Sequence, residues 1–347
     1  MALQLKGSMV ALVTPFREDK SVDWDALTRL VDRQLAGGTS ALIICGTTGE
    51  ASTMTPQECK EVLSFVVKQV DGKVPVIAGT GSNNTAEAIV ATGHAAGEGV
   101  DGVLLVDPYY NGPSSLEIRR EYYEPIAREY PDLDMIPYII PGRTGAQMLP
   151  QDLAILAKNC PNIASVKEAT GNPDNMRLTR KLCGDEFNIL SGDDGLVYDI
   201  MTDPDIRACG SISVMSNIAP GFMTKMVTLI NQGQAQEAKK IQDALMPLLD
   251  LVVVTTEEDS QFGPVSCRAR NPLPLKTMMQ ILGMPGGPCR PPLGKMTRKG
   301  FDVVLTTLKK VQADTPEILA PIAKAFNVDI DQRLNDAATR EGLWYDY

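Results

Sequence analysis

Eight short apolar runs, spaced about one strand-plus-helix unit apart, constrain this chain more than any other feature. They are Met9–Val13, Ala41–Cys45, Val74–Ala78, Val103–Val106, Met135–Ile140, Ile163–Lys167, Phe187–Leu190 and Ile212–Val214. Successive starts lie about 24 to 33 residues apart, enough for one strand, one helix and two loops. The runs are rich in Val and Ile and lack polar alternation, which predicts parallel strands buried on both faces. The segments between them carry helical patterns. Asp23 reads as the N-cap of the first, with Leu27, Leu30, Val31 and Leu35 on one face and Gly37 at its end. Thr85 reads as the cap of the third, whose body is Ala86–Ala96.

Eight such units predict an α/β fold, a closed (β/α)8 TIM barrel rather than an open doubly wound sheet. The first run leads into Thr14-Pro15-Phe16, which lacks the glycines that cradle a pyrophosphate in a dinucleotide-binding turn. Beyond about Gly221 the rhythm changes to helical patterns over Met223–Asn231, Ala235–Val254, Pro274–Leu282 and Arg298–Val311. Between them fall an expected loop near Glu257–Arg270 and the Gly/Pro-rich Gly283–Gly294. The expected organisation is a barrel over 1–222, a C-terminal helical appendage over 223–311, and a helical tail over 312–347. The tail ends on Trp344-Tyr345-Asp346-Tyr347, for which docking on a neighbouring subunit is the expectation.

Composition narrows the function. The net charge of -10 argues against a nucleic-acid partner, which needs a basic stripe. The seven cysteines are scattered and the single histidine, His94, falls in a helix, so no metal site is expected. Met1–Gly7 lacks the basic and apolar regions of a secretion signal, and no apolar run approaches the span of a bilayer. A cytoplasmic protein with reduced thiols and no membrane contact is the expectation.

In a barrel of this kind, polar residues at the C-terminal ends of the strands carry the chemistry. Lys167 closes the apolar run that starts at Ile163, where an ammonium would lose hydration. Burial lowers a lysine from ~10.4 towards the roughly 7–8 of catalytic amines, and a neutral amine attacks a ketone to form a Schiff base. A solvated lysine at a strand mouth is the plainer alternative. With one histidine in the chain, Tyr138 and Tyr110 linked through the Thr47 hydroxyl are credible proton carriers. Each tyrosine alone would read as a core residue with a satisfied hydroxyl. Arg143 offers a fork for a carboxylate, and the Thr47-Thr48-Gly49 turn offers hydroxyls and N–H groups for a second one.

Gly46-Thr47-Thr48-Gly49-Glu50, Pro108-Tyr109-Tyr110-Asn111, Tyr138 with Pro141-Gly142-Arg143-Thr144-Gly145, and Lys167-Glu168-Ala169-Thr170-Gly171 together resemble the dihydrodipicolinate synthase family. The resemblance runs from about Gly7 to Val311. Asn271-Pro272-Leu273-Pro274-Leu275-Lys276 and Arg290-Pro291-Pro292-Leu293 resemble the family's C-terminal helical region. It implies a class I aldolase, a lyase condensing pyruvate with L-aspartate 4-semialdehyde to 4-hydroxy-tetrahydrodipicolinate in lysine and diaminopimelate biosynthesis. A sister aldolase or dehydratase acting on a sugar acid, N-acetylneuraminate lyase-like or 2-keto-3-deoxygluconate aldolase-like, is the alternative that Arg143 speaks against.

By resemblance Lys167 is the Schiff-base residue, so no cofactor is implied, and Tyr138, Thr47 and Tyr110 form the relay. Tyr110 reaches the neighbouring subunit's site in that family. Thr48 binds the pyruvate carboxylate, Arg143 the acceptor carboxylate, and Gly192 and Ile212 contact the intermediate through their backbones. A homotetramer of tight dimers, or a homodimer, is implied. Asn83, Glu87 and Tyr109 stand where the family places lysine contacts. Three departures stand out: Tyr138 is followed by Ile139 where the family usually has asparagine, Pro56 and Cys59 stand where lysine-sensitive members often carry histidines, and the tail exceeds the family's usual length. Weak or absent inhibition by lysine is therefore expected.

Overall fold

A computed structural model describes residue 3 and residues 5–346. Eight parallel strands form a closed barrel: β1 (Gly7–Ala11), β2 (Leu42–Ile44), β3 (Val76–Gly79), β4 (Gly102–Val106), β5 (Asp134–Ile139), β6 (Ser165–Glu168), β7 (Asn188–Ser191) and β8 (Gly210–Ser213). Closure is made by β1, which pairs with β2 (Val10 opposite Leu42) and with β8 (Met9 opposite Ile212). The unbroken apolar runs now have a cause. Alternate residues of a strand face opposite sides, and here both sides are buried. Met9, Ala11, Ile43, Ile77, Leu104, Ile136, Leu190 and Ile212 fill the barrel interior. Their neighbours Val10, Leu42, Val76, Val103, Met135, Val166 and Ile189 pack outward against the helices.

The first helix, Trp24–Ala36, starts where the Asp23 side chain accepts from Ala26 N and ends at Gly37, as its sequence predicts. In the helix Thr85–Gly97 the cap lies one residue earlier than expected. The Asn84 side chain accepts from Ala86 N, while the Thr85 hydroxyl donates to the Glu121 carbonyl. An asparagine competes well for a cap because its side-chain carbonyl reaches the first free N–H groups.

The helix Pro220–Asn231 packs against the outside of β1 and completes the ring, so the expected boundary at 222 falls inside it. The boundary at 311 falls inside the helix Arg298–Asp314. The helix expected over Ala235–Val254 stops at Leu249, and the stretch expected to be a loop near Glu257–Arg270 forms a hairpin. Its strands are β9 (Val253–Ser260) and β10 (Gly263–Arg270), antiparallel, with Phe262 exposed at the tip. Only one face of this hairpin is covered, so it lacks the apolar run that marks a barrel strand.

The tail packs on its own chain. Trp344 packs on Phe301 with ring centroids 5.0 Å apart, and Trp344–Tyr345 pairs in parallel with Met296–Thr297. Further back, Phe326 lies under the guanidiniums of Arg29 and Arg33. Of the aromatic end, Tyr347 lies outside the described residues, as do Met1, Ala2 and Gln4.

Candidate active site

The loops following the strands enclose a cavity of about 320 Å³ at the C-terminal mouth of the barrel. Thr47, Thr48, Tyr138, Arg143, Lys167 and Gly192 all line it. Register explains the central pair: Tyr138 on β5 lies opposite Lys167 on β6, which sets the lysine Nζ 4.1 Å from the centroid of the tyrosine ring. Lys167 is 4% exposed and Tyr138 6%. Burial pulls the Lys167 amine down to about 7; the Asp194 carboxylate opposes that fall and Arg143 adds to it. Burial also pushes the Tyr138 phenol up to about 12, so it remains a proton donor at neutral pH. The result is a lysine able to be neutral beside an acid able to protonate what it attacks.

Room around the lysine depends on Gly192. A Cβ there would sit 2.8 Å from Ala169 Cβ and 3.0 Å from Lys167 Cε, closer than side chains tolerate. Gly192 is itself fixed by its N–H, which donates to the Glu168 carbonyl.

The threonine turn is held from below. Glu50 adopts a left-handed conformation (φ 52°) that turns its side chain into the protein, where it is fully buried. There Lys276 Nζ meets Glu50 Oε1 at 2.5 Å, and the Arg290 backbone N–H donates to Glu50 Oε2. Lys276 also lies over the Phe16 ring.

Asn271 ties two of the expected site residues together. Its Nδ2 donates to the Thr48 hydroxyl at 2.9 Å, and its carbonyl accepts from Arg143 Nη2 at 2.8 Å. In the sequence Asn271 stands only at the head of the helical-region motif; its place in the cavity wall depends on a contact between residues 223 positions apart. Asp194 is a second residue that the sequence did not single out. Its buried carboxylate accepts from the N–H groups of Val214 and Met215, fixing the β7 loop against the end of β8. An acidic residue three places past the end of β7 was the available signal.

Other expected residues fall elsewhere. Tyr110 is 90% exposed, at φ 77°, and does not line the cavity, whereas Tyr109 does. Ile212 is buried in the barrel interior below the floor, and Val214, two residues on, takes the lining position. Glu87 lines a second cavity of about 550 Å³ with Pro56, Cys59 and His94. This cavity shares Cys45, Ala51, Gly79 and Gly81 with the first. Asn83 is exposed and lines neither.

A parallel (β/α)8 barrel with a desolvated lysine facing a tyrosine at its C-terminal mouth defines a class I aldolase, a lyase that works through a Schiff base. More narrowly, residues 4–311 match the model of the dihydrodipicolinate synthetase family, and the chain belongs to that family. It is 40% identical over 291 residues to the 4-hydroxy-tetrahydrodipicolinate synthase of Pelobacter propionicus, covering 84% of this chain and 93% of that one. The dihydrodipicolinate synthase structure from Aquifex aeolicus superposes with a TM-score of 0.81 at 36% identity, covering 91% of this chain and 99% of that one. The enzyme from Cyanidioschyzon merolae, solved with lysine bound, gives 0.80 at 35% identity, with 88% and 98% covered.

Proposed function

We propose that the chain condenses pyruvate with L-aspartate 4-semialdehyde, the reaction for which its relatives are named, with Lys167 as the covalent residue. The observation that carries this reading is the buried Lys167 amine, drawn down to about 7 and set against the Tyr138 ring.

The neutral Lys167 amine attacks the pyruvate ketone, giving a carbinolamine. Tyr138 passes a proton to the departing hydroxyl, and water leaves as the imine forms. Loss of a methyl proton gives the enamine, whose carbon attacks the acceptor aldehyde. The acceptor's own amine then displaces Lys167 at the imine carbon as the ring closes, regenerating the free lysine. No cofactor is drawn on, because the imine itself is the electron sink. Thr48 holds the pyruvate carboxylate and Arg143 the acceptor carboxylate, a pairing supported by their common tether, Asn271. Gly192 would offer its backbone carbonyl to the intermediate, whereas Ile212, expected to do the same, lies below the cavity floor.

In this reading Tyr110 completes the relay of a neighbouring subunit through Thr47, so the working form is a homodimer or homotetramer. Its exposure supports that role: a phenol left 90% exposed on a single chain is free to enter another. Tyr110→Phe should cut turnover about tenfold or more while leaving the oligomer intact; unchanged turnover would remove Tyr110 from the relay.

Lysine inhibition is expected to be weak, since Pro56 and Cys59 stand where lysine-sensitive members often carry histidines, and of Asn83, Glu87 and Tyr109 only Glu87 lines the second cavity. A sub-millimolar inhibition constant would contradict this. The function itself is tested by coupling the condensation to a reductase that consumes the product. Turnover saturable in both substrates is the expected result.

A further inference from the structure

The hairpin β9–β10 ends at the active site, and what it carries there has no part in the chemistry above. Arg270, its last residue, donates from Nη1 to the Gly142 carbonyl at 3.0 Å, next to Arg143. Asn271 follows immediately and lines the cavity. Arg268 lies two residues back on the same strand and therefore shares a face with Arg270. The opposite face is the covered one. Val254, beside Ala269, is buried, and Glu258 is buried and accepts from the Thr297 hydroxyl at 2.7 Å. Lys299 Nζ donates to the Glu257 carbonyl and pairs with Asp259, tying the outer strand to the helix Arg298–Asp314. The arm is thus fastened along one face and presents Arg268 and Arg270 on the other.

Both guanidiniums are close enough to Arg143 to add to the lowering of its pKa, which burial of its head group begins. Among the described residues, none of the three is in an ion pair. Asp193 and Asp194 bring carboxylates to this mouth, Asp194 buried and already accepting two backbone N–H groups, and Glu257 shares the arginine face of the hairpin, diagonal to Arg268. Three unpaired arginines at one opening stand out on a chain whose net charge is -10. Such a chain repels an anionic keto acid at long range, and a locally positive mouth with low-dielectric walls offsets that repulsion.

We propose that Arg268 and Arg270 extend Arg143 into an anion-collecting rim that lowers KM for short carboxylate substrates, pyruvate above all, without touching the reacting atoms. The rim determines specificity by charge and rests on the reading of this cavity as the pyruvate site. Arg268 is the cleaner probe, because Arg270 also anchors the Gly142 loop.

The test compares the full-length wild type with Arg268→Ser and Arg268→Glu, measuring kcat and KM for pyruvate at about 0.01 M and about 1 M salt, where the Debye length falls from ~30 Å to ~3 Å. At low salt KM should rise about threefold for serine and about tenfold for glutamate, in step with the charge removed. Both should return to the wild-type value at high salt, with kcat unchanged throughout. A KM that does not move at low salt, or one that rises equally at both salts, would overturn the rim. Borohydride trapping of pyruvate on the wild type separates the two readings. A trapped wild type with salt-indifferent variants sinks the rim alone, and a wild type that traps nothing sinks the site with it.

Discussion

Two lysines are buried in this protein to nearly the same degree, Lys276 beneath the threonine turn and Lys167 at the barrel mouth, at 1% and 4% exposure. Burial lowers the pKa of both. The difference lies in what faces them. Lys276 meets the Glu50 carboxylate at 2.5 Å and lies within 3.2 Å of the Pro288 carbonyl, so its charge is answered and it joins the β2 loop to the C-terminal region. Lys167 is in no ion pair among the described residues and has an aromatic face instead. One lysine is paired with a carboxylate and braces the fold. The other is left able to lose its proton, as the proposed reaction requires. Burial alone does not mark a catalytic lysine; burial without a carboxylate partner does.

That contrast can be broken in several ways. The largest effect is expected from Lys167→Ala, which should cost turnover about 10⁴-fold or more and abolish pyruvate trapping while the thermal transition survives. Residual turnover near the wild-type level would remove Lys167 from the centre of the mechanism. Substituting each lysine by methionine should then separate the two in stability. Lys276→Met leaves the Glu50 carboxylate buried without its cation and should lose about 3–5 kcal/mol in chemical denaturation. Lys167→Met removes an unanswered amine from an apolar setting and should be neutral or slightly stabilising. Equal losses in the two variants would mean that the pairing is not what distinguishes them.

Tyr138→Phe keeps the ring under the Lys167 amine and deletes only the hydroxyl. It should lower kcat about 10²-fold or more, with trapping slowed but not lost. The smallest effect is the pH dependence. Lys167 is protonated below about 7, and an ammonium has no lone pair to attack with. The rate of imine formation should therefore fall about tenfold per unit as pH drops below that value, and level off above it. Imine formation already limited by an amine near its unperturbed ~10.4 would show as a rise that continues through pH 9.

How far these features could be read beforehand follows the same physical division. The barrel strands were legible because both of their faces are buried, and burial on two sides forces an unbroken apolar run such as Met135 and Ile136. Lys167, Tyr138, Thr47, Thr48, Arg143 and Gly192 were legible because a barrel gathers its strand ends at one mouth, and all six line one cavity. The hairpin β9–β10 was not legible: half of its residues face solvent and half face a helix, so Glu257–Arg270 shows no apolar stripe. Asn271 escaped for a different reason. Its contact with Thr48 spans most of the chain and leaves no local periodicity. The docking of the tail was hidden similarly, since Phe326 and Trp344 meet Arg33 and Phe301 only after the helices have packed. Tyr110 is different again, for its expected partner is a second chain.

The central claim is that Lys167, alone among the lysines, is neutral enough and placed to bond pyruvate. The most direct measurement is reduction of the full-length protein with borohydride in the presence of pyruvate, followed by peptide mapping of the adduct by mass spectrometry. The account predicts one adduct, on Lys167, formed faster as pH rises through about 7. An adduct spread over several lysines, or none on a folded sample, would contradict it.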